Sequence, residues 1–297
     1  MIEPPWLVDT LDALRGTSAR LPHALLIHGP PGWGEQRIAN ALALDLMRLE
    51  PGLDAREVAH PDLRWLQPED GVIKVDSVRL IVDFLVHTPQ SAGRKIAVIE
   101  DADRMNVNAA NALLKSLEEP PPESFIALST SAPERLLPTV RSRCQEARIR
   151  PGTGHEVRTW LDENGIDRQA ASQLAVEYAG APYAIISAVE RGQTPLWTHL
   201  DRAARSASVA RTVADALREE GLVDLLERWM RIVHGLLREW SAAERPLLLD
   251  FAAELAKVRG AALVNTGLNR SMQVQRLLLL WHELLGRIPS PAAPKPP

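Results

Sequence analysis

The chain predicts an α/β fold with a parallel sheet, followed by a region that is helical throughout, and three observations carry this expectation. Short apolar runs alternate with helix-like segments up to about residue 150, which is the pattern of βαβ units. One of those runs leads into a glycine-rich turn and then a helix, the local order that a phosphate-binding loop requires. Beyond Pro151-Gly152 the strand signals stop and apolar residues recur at helical spacing.

Taken in order, ALLIH (24–28) reads as a strand, Arg37 to Leu49 as a helix, DLRWL (62–66) as a strand and Asp76 to Val86 as an amphipathic helix. KIAVIE (95–100) is the next strand, then a helix from about Asn108 to Glu119 that Pro120-Pro121-Pro122 stops, then strands FIALST (125–130) and QEARI (145–149). KIAVIE and FIALST are apolar on both faces, as central strands covered on each side must be. In the helix before the prolines, Val107, Ala110, Leu113, Leu114 and Leu117 form a core stripe, and Lys115, Glu118 and Glu119 read as a solvated face.

Two or three short helices are expected over about 155–190, and long amphipathic ones after Gln193-Thr194-Pro195, where Leu222, Leu225, Leu226, Trp229, Met230 and Val233, then Val274, Leu277, Leu278, Trp281 and Leu285, mark apolar faces. IPSPAAPKPP at the end is too rich in proline and too poor in apolar side chains to pack, and reads as disordered. The chain therefore divides into an α/β domain (1–150), a small helical domain (151–195), a C-terminal helical domain (196–287) and a tail (288–297).

The 34 basic and 38 acidic residues give a net charge of −4. That balance argues against strong stand-alone DNA binding, which needs many Lys and Arg contacts to phosphate. Cys144 is the only cysteine and the eight histidines show no ligand spacing, so neither an internal disulfide nor a metal site is expected, and His60 reads as structural. No apolar run approaches the length of a membrane span, and the start lacks the basic and apolar regions of a secretory leader. A cytoplasmic protein is the expectation.

The phosphate-loop candidate is Gly29-Pro30-Pro31-Gly32-Trp33-Gly34-Glu35-Gln36, set against the pattern G-x-x-x-x-G-K-[ST]. Gly29 and Gly34 keep their spacing, and Gly32 lies between them, so the backbone N–H groups can curl around an anion at a helix N-terminus. Glu35 stands where the lysine belongs and Gln36 where a hydroxyl would ligate Mg²⁺. An anion in place of a cation about 4 Å from phosphate changes the interaction by two unit charges, each worth on the order of 4 kcal/mol at an effective dielectric near 20. Weak ATP binding, or none, is the consequence, and no nucleotide cofactor is expected. Trp33 reads as a packing residue. At the end of KIAVIE, Glu100-Asp101 stand where a Walker B strand would carry Asp-Glu; the reversed order displaces both carboxylates by a side-chain length, and simple solvation of acidic residues at a strand end is a nearly equal alternative.

GPPGWG, HPDL (60–63), the I-x-V-D-x-V-R pattern from Ile73 to Arg79, RKIAVIEDADRMN, NAANALLKSLEEPP and LLPTVRSRC together resemble the clamp-loader branch of the AAA+ proteins, closely over about Leu21 to Arg150 and more loosely beyond. The resemblance implies a RecA-like AAA+ domain, a helical lid and a helical collar that joins partner subunits. Motor subunits of that family keep Lys and Thr in the loop and an arginine in a lid Gly-Ser-x-Arg element; here the lid stretch is Gly180-Ala181-Pro182-Tyr183. A four-cysteine zinc module found in many members is missing, and the segment from Glu50 to His60 is short. These departures imply a member that does not hydrolyse ATP itself.

The intact element is Ser142-Arg143-Cys144, whose arginine, in the family, reaches a neighbouring subunit's ATP as a finger in trans. The implied partners are tau/gamma-type ATPase subunits and a delta-type subunit, with the β sliding clamp and primed DNA engaged through the assembly. An active ATPase motor is opposed by Glu35, Gln36 and Tyr183. A P-loop kinase or nucleotide transferase would need the missing lysine and a substrate lid.

Overall fold

The computed structural model describes residues 3–16, 22–218, 220–264 and 267–286. The proline-rich segment expected to be disordered, 288–297, lies outside them. The chain forms two units, Met1–Thr153 and Gly154–Pro297.

In the first unit, strands β1 (Ala24–His28), β2 (Leu63–Leu66), β3 (Lys95–Ile99), β4 (Ser124–Thr130) and β5 (Gln145–Arg148) form one sheet in the order β2-β3-β4-β1-β5. Every pairing is parallel, with Leu26 beside both Leu128 and Glu146. β1 and β3 are buried along their whole length, which is why their runs show no polar alternation.

Side chains of one strand alternate between the two faces. Leu26, Ala97, Ile99, Ile126 and Leu128 pack with helices α3 (Val75–Val86) and α4 (Val107–Glu118) through Val78, Ile81, Leu85, Ala110, Leu113 and Leu117. Helix α2 (Glu35–Met47) covers β1, β3 and β4 from the other side. A helix that the sequence reading leaves out, α1 (Pro5–Gly16), buries Trp6, Leu7, Leu11 and Leu14 and packs on α2.

Asn106 caps α4, its side chain accepting the N–H of Ala109 at 2.8 Å, and the helix ends just before Glu119 and the three prolines. The expected stripe needs one correction. Val107, the first residue of α4, is 61% exposed, and Ala109 is buried instead. A further short helix, α5 (Pro138–Arg141), precedes the Ser-Arg-Cys turn, with Pro138 at its first position, where the missing N–H costs nothing.

The second unit holds helices α6 (Gly154–Glu163), α7 (Arg168–Glu177), α8 (Pro182–Glu190), α9 (Leu196–Ala204), α10 (Ala207–Ala216), α11 (Leu222–Glu239), α12 (Arg245–Val264) and α13 (Arg270–Gly286). Asp167 and Ser206 cap α7 and α10 by accepting the N–H groups of Ala170 and Val209. The core is aromatic at its centre: Trp229, Phe251 and Trp281 meet at ring separations of 5.4, 6.0 and 5.2 Å, and Trp281 donates its indole N–H to the Leu200 carbonyl.

A buried ion pair joins α7 to α11. Arg228 donates to Oε2 of Glu177 through Nη2 at 2.8 Å and Nε at 3.0 Å, and Nη1 reaches Glu220 at 2.5 Å. Glu177 and Arg228 are 0% and 4% exposed. Among the described residues no helix is long and apolar enough to cross a membrane.

Candidate functional site

The glycine-rich turn leaves β1 at His28 and delivers the chain to α2. A side chain at Gly29 would place its Cβ 2.9 Å from the Ile149 Cβ, closer than packed carbons come, so the close approach of the two backbones demands glycine. Gly34 precedes α2 at φ 105°, in the left-handed region that glycine enters without strain. Gly32 is likewise at φ 76°. Trp33 is buried, edge-on to Trp6 of α1 with centroids 5.7 Å apart, and its carbonyl accepts the Trp6 indole N–H at 3.3 Å. The packing role read from the sequence is what Trp33 has.

Glu35, the first residue of α2, is only 6% exposed. Its carboxyl lies beside the backbone of Gly34 and of Glu35 itself, at the helix N-terminus. Oε2 has no hydrogen-bond partner among the described residues. Burial, reinforced by the nearby charges of Asp101 and Glu100, outweighs those backbone groups and pushes the carboxyl up to about 7. The amides that a phosphate would use thus face a side-chain carboxyl of the same chain. Gln36 follows on α2, half-buried.

Glu100, directly after β3, is buried at 7% exposure rather than solvated. Its Oε2 accepts from the Trp65 indole at 2.9 Å and the Gln67 amide at 3.0 Å, with Arg56 3.9 Å away. This corrects the solvated-carboxylate alternative: donors from β2 and the segment after it hold the side chain inward. Asp101 sits at φ 48° at the start of a 3-10 turn and pairs with Arg104 at 3.5 Å, and burial raises its carboxyl above the ordinary range. Among the described residues no group of three or more His, Cys, Asp and Glu side chains is placed to hold a metal ion.

The Ser-Arg-Cys turn lies between α5 and β5. Arg143 forms an ion pair with Glu118 at the end of α4 and donates through Nη1 to the Thr139 carbonyl at 2.8 Å, which Ser142 Oγ also reaches at 3.2 Å. Glu118 is exposed, as the solvated-face reading expects, and pairs with Arg143 at the surface. Cys144 packs against the sheet core, and burial pushes its thiol up to about 11. Such a thiol is a packing group, since the thiolate is the reactive form.

Two polar sets escape a reading of motifs. His28 at the end of β1 contacts Glu146 of β5 at 3.2 Å, and Glu146 accepts from Arg141 at 2.6 Å, which lowers its carboxyl below the ordinary range. The strand that enters the glycine turn is thereby linked to the helix before Arg143. Asp62, 0% exposed, accepts the N–H groups of Gln90, Ser91 and Ala92 at 2.8, 2.7 and 2.8 Å and pairs with buried Lys95 at 3.1 Å. Burial opposes its charge, yet these donors hold the carboxyl well below its usual range. His60 serves that turn, its Nδ1 accepting the Asp62 N–H at 3.0 Å. An acidic residue directly before an apolar strand is the one sequence signal for this anchor. In the second unit, Tyr183 of the Gly-Ala-Pro-Tyr stretch packs edge-on to Trp160 at 5.4 Å.

Comparison with known proteins agrees with this architecture. A family profile described as "DNA polymerase III, delta subunit" matches residues 13–153. The DNA polymerase III subunit delta' of Pseudomonas aeruginosa is 38% identical over 60% of this chain, which spans 58% of that relative's length. The subunit delta' of Yersinia pestis is 29% identical over 95% of this chain and 96% of its own. A crystal structure of a DNA polymerase III gamma subunit-related protein from Thermotoga maritima superposes with a TM-score of 0.61 at 21% identity, covering 93% of this chain and 99% of that one, a likeness of fold. With the glycine turn at residues 29–36 and the Ser-Arg-Cys turn at 142–144 carried by one parallel sheet, the chain is similar in sequence to DNA polymerase III delta' subunits.

Proposed function

We propose that this chain is the non-hydrolysing delta-prime-type subunit of a clamp loader, helping to place the β sliding clamp on primed DNA while supplying Arg143 in trans to a neighbouring tau/gamma-type ATPase subunit. The carrying observation is Glu35, whose buried carboxyl faces the amides of the phosphate loop. With Glu100 occupied by Trp65 and Gln67, neither acidic group is available to a Mg·nucleotide. Calorimetric titration with Mg·ATP tests this. A dissociation constant in the low micromolar range, about −8 kcal/mol of binding, would overturn the reading.

In this proposal the subunit assembles in the cytoplasm. Residues 151–195 act as the lid and 196–287 as the collar that joins the tau/gamma-type and delta-type subunits. Leu249, Leu263, Val264 and Met272, exposed by 54 to 88% on α12 and α13, support an associating surface there. Arg143 is permanently charged and can fork onto phosphate oxygens, and fingers supplied in trans contribute about 10³ to 10⁵ in rate. In a reconstituted complex, Arg143→Ala should leave assembly intact while the neighbour's ATP hydrolysis falls, and Arg143→Lys should not fully rescue it. Wild-type hydrolysis with Arg143→Ala would return Arg143 to an ordinary surface role.

A further inference from the structure

The ends of α4 and α5 converge on one guanidinium. Glu118 is the last residue of α4, and the turn after α5 brings Arg143 to it. Nη2 of Arg143 pairs with the Glu118 carboxylate, and Nη1 is held at 2.8 Å by the Thr139 carbonyl and lies 3.4 Å from Ser142 Oγ. Two anchors on different elements restrict a side chain that otherwise has much rotamer freedom to lose.

We propose that Glu118 is a positioning residue for Arg143, holding the guanidinium oriented before a neighbouring subunit's phosphate reaches it; this rests on the reading of Arg143 as a finger. A lock that withholds Arg143 is the competing possibility, and the exposure decides against it. Arg143 and Glu118 side chains are 34% and 49% exposed. Pairs so open to water are weak, so the carboxylate does not withhold the guanidinium from a phosphate. What the carboxylate changes is the entropy of ordering that one side chain, of a size that corresponds to roughly a 3- to 10-fold effect.

The test uses the complex reconstituted with tau/gamma-type and delta-type subunits, and reads kcat and KM for ATP hydrolysis. Glu118→Ala should lower kcat roughly 3- to 10-fold, about 0.7 to 1.4 kcal/mol, with KM unchanged, because the finger acts on the transition state. Glu118→Gln should fall between Ala and wild type, since its amide oxygen still accepts from Nη2 without the charge. Glu118→Ala combined with Arg143→Ala should be no worse than Arg143→Ala alone.

Wild-type kcat with Glu118→Ala, alongside a large loss with Arg143→Ala, would overturn the positioning role and leave the finger standing. Wild-type kcat with Arg143→Ala would remove the finger and this role with it. An additional loss in the double variant would show Glu118 acting apart from Arg143 and overturn the proposal. If Glu118→Ala fails to assemble, Glu118→Gln carries the same comparison.

Discussion

Replacing Glu35 by glutamine should flatten the pH dependence of stability, and the size of the effect follows from the loop. The carboxyl is 6% exposed, one oxygen has no hydrogen-bond partner among the described residues, and burial raises it from an ordinary 4.5 to about 7. Below the ordinary value both folded and unfolded chains keep the proton, and Glu35 contributes no pH dependence. As pH rises from there, the unfolded chain releases its proton while the folded chain retains it, so the folded state binds more protons and loses stability. The loss levels off once pH passes the folded value. At about 1.36 kcal/mol per pH unit, the interval amounts to about 3 kcal/mol.

Glutamine does not titrate, and the cost of burying its amide is the same at every pH. The wild type should therefore lose about 3 kcal/mol more than Glu35→Gln between pH 4.5 and 8. Asp101 and the other nearby carboxyls contribute to both curves and largely cancel in the difference. Urea unfolding of the full chain at half-unit pH steps, followed by tryptophan fluorescence, measures it. Parallel curves for the two proteins would refute the account of a buried, half-satisfied carboxyl.

Arg228→Ala should destabilise the second unit by about 3 to 5 kcal/mol, because it strands Glu177 without its partner, whereas Glu177→Leu with Arg228→Met should recover most of that loss in calorimetry; equal losses would show that the pair's charge does not matter. Gly29→Ala should cost about 1 to 3 kcal/mol as its Cβ meets Ile149, and an unchanged urea midpoint would mean that the two backbones separate freely. With its thiol pushed up from 9.0 to about 11, Cys144 should react with a disulfide reagent at pH 8 about 100-fold more slowly in the folded chain than in urea. Equal rates would place Cys144 in solvent.

Local pattern carried much of this molecule. ALLIH, KIAVIE and FIALST are buried on both faces, so their apolar runs need no knowledge of neighbours to be recognised, and Asn106 and the three prolines bound α4 by rules of capping and ring geometry. The glycine turn and its reversed charge were legible for the same reason: spacing and side-chain type along eight residues state both the backbone's need and the chemistry it lacks.

Trp6, Leu7, Leu11 and Leu14 mark the apolar face of α1, a signal short enough to be lost among the prolines before it. Val107 was placed in a core stripe because helical phase gives the angle of a side chain about the axis; whether the sheet still lies opposite the helix's first residue depends on where the two elements end.

What tertiary structure alone decided were the partners of charge. Whether Glu100 meets water, a metal or the Trp65 indole depends on which strand lies beside β3, and β2 is more than thirty residues earlier in the chain. Glu118 lies on a helix face that satisfies every rule for solvation, yet it pairs with Arg143 because α4 and α5 end at the same place. Sequence determines the period and chemistry of each element, which are local. A carboxylate's protonation and partner depend on what the fold brings within a few ångströms, because electrostatic energy in a partly buried site is set by distance and desolvation rather than by residue type.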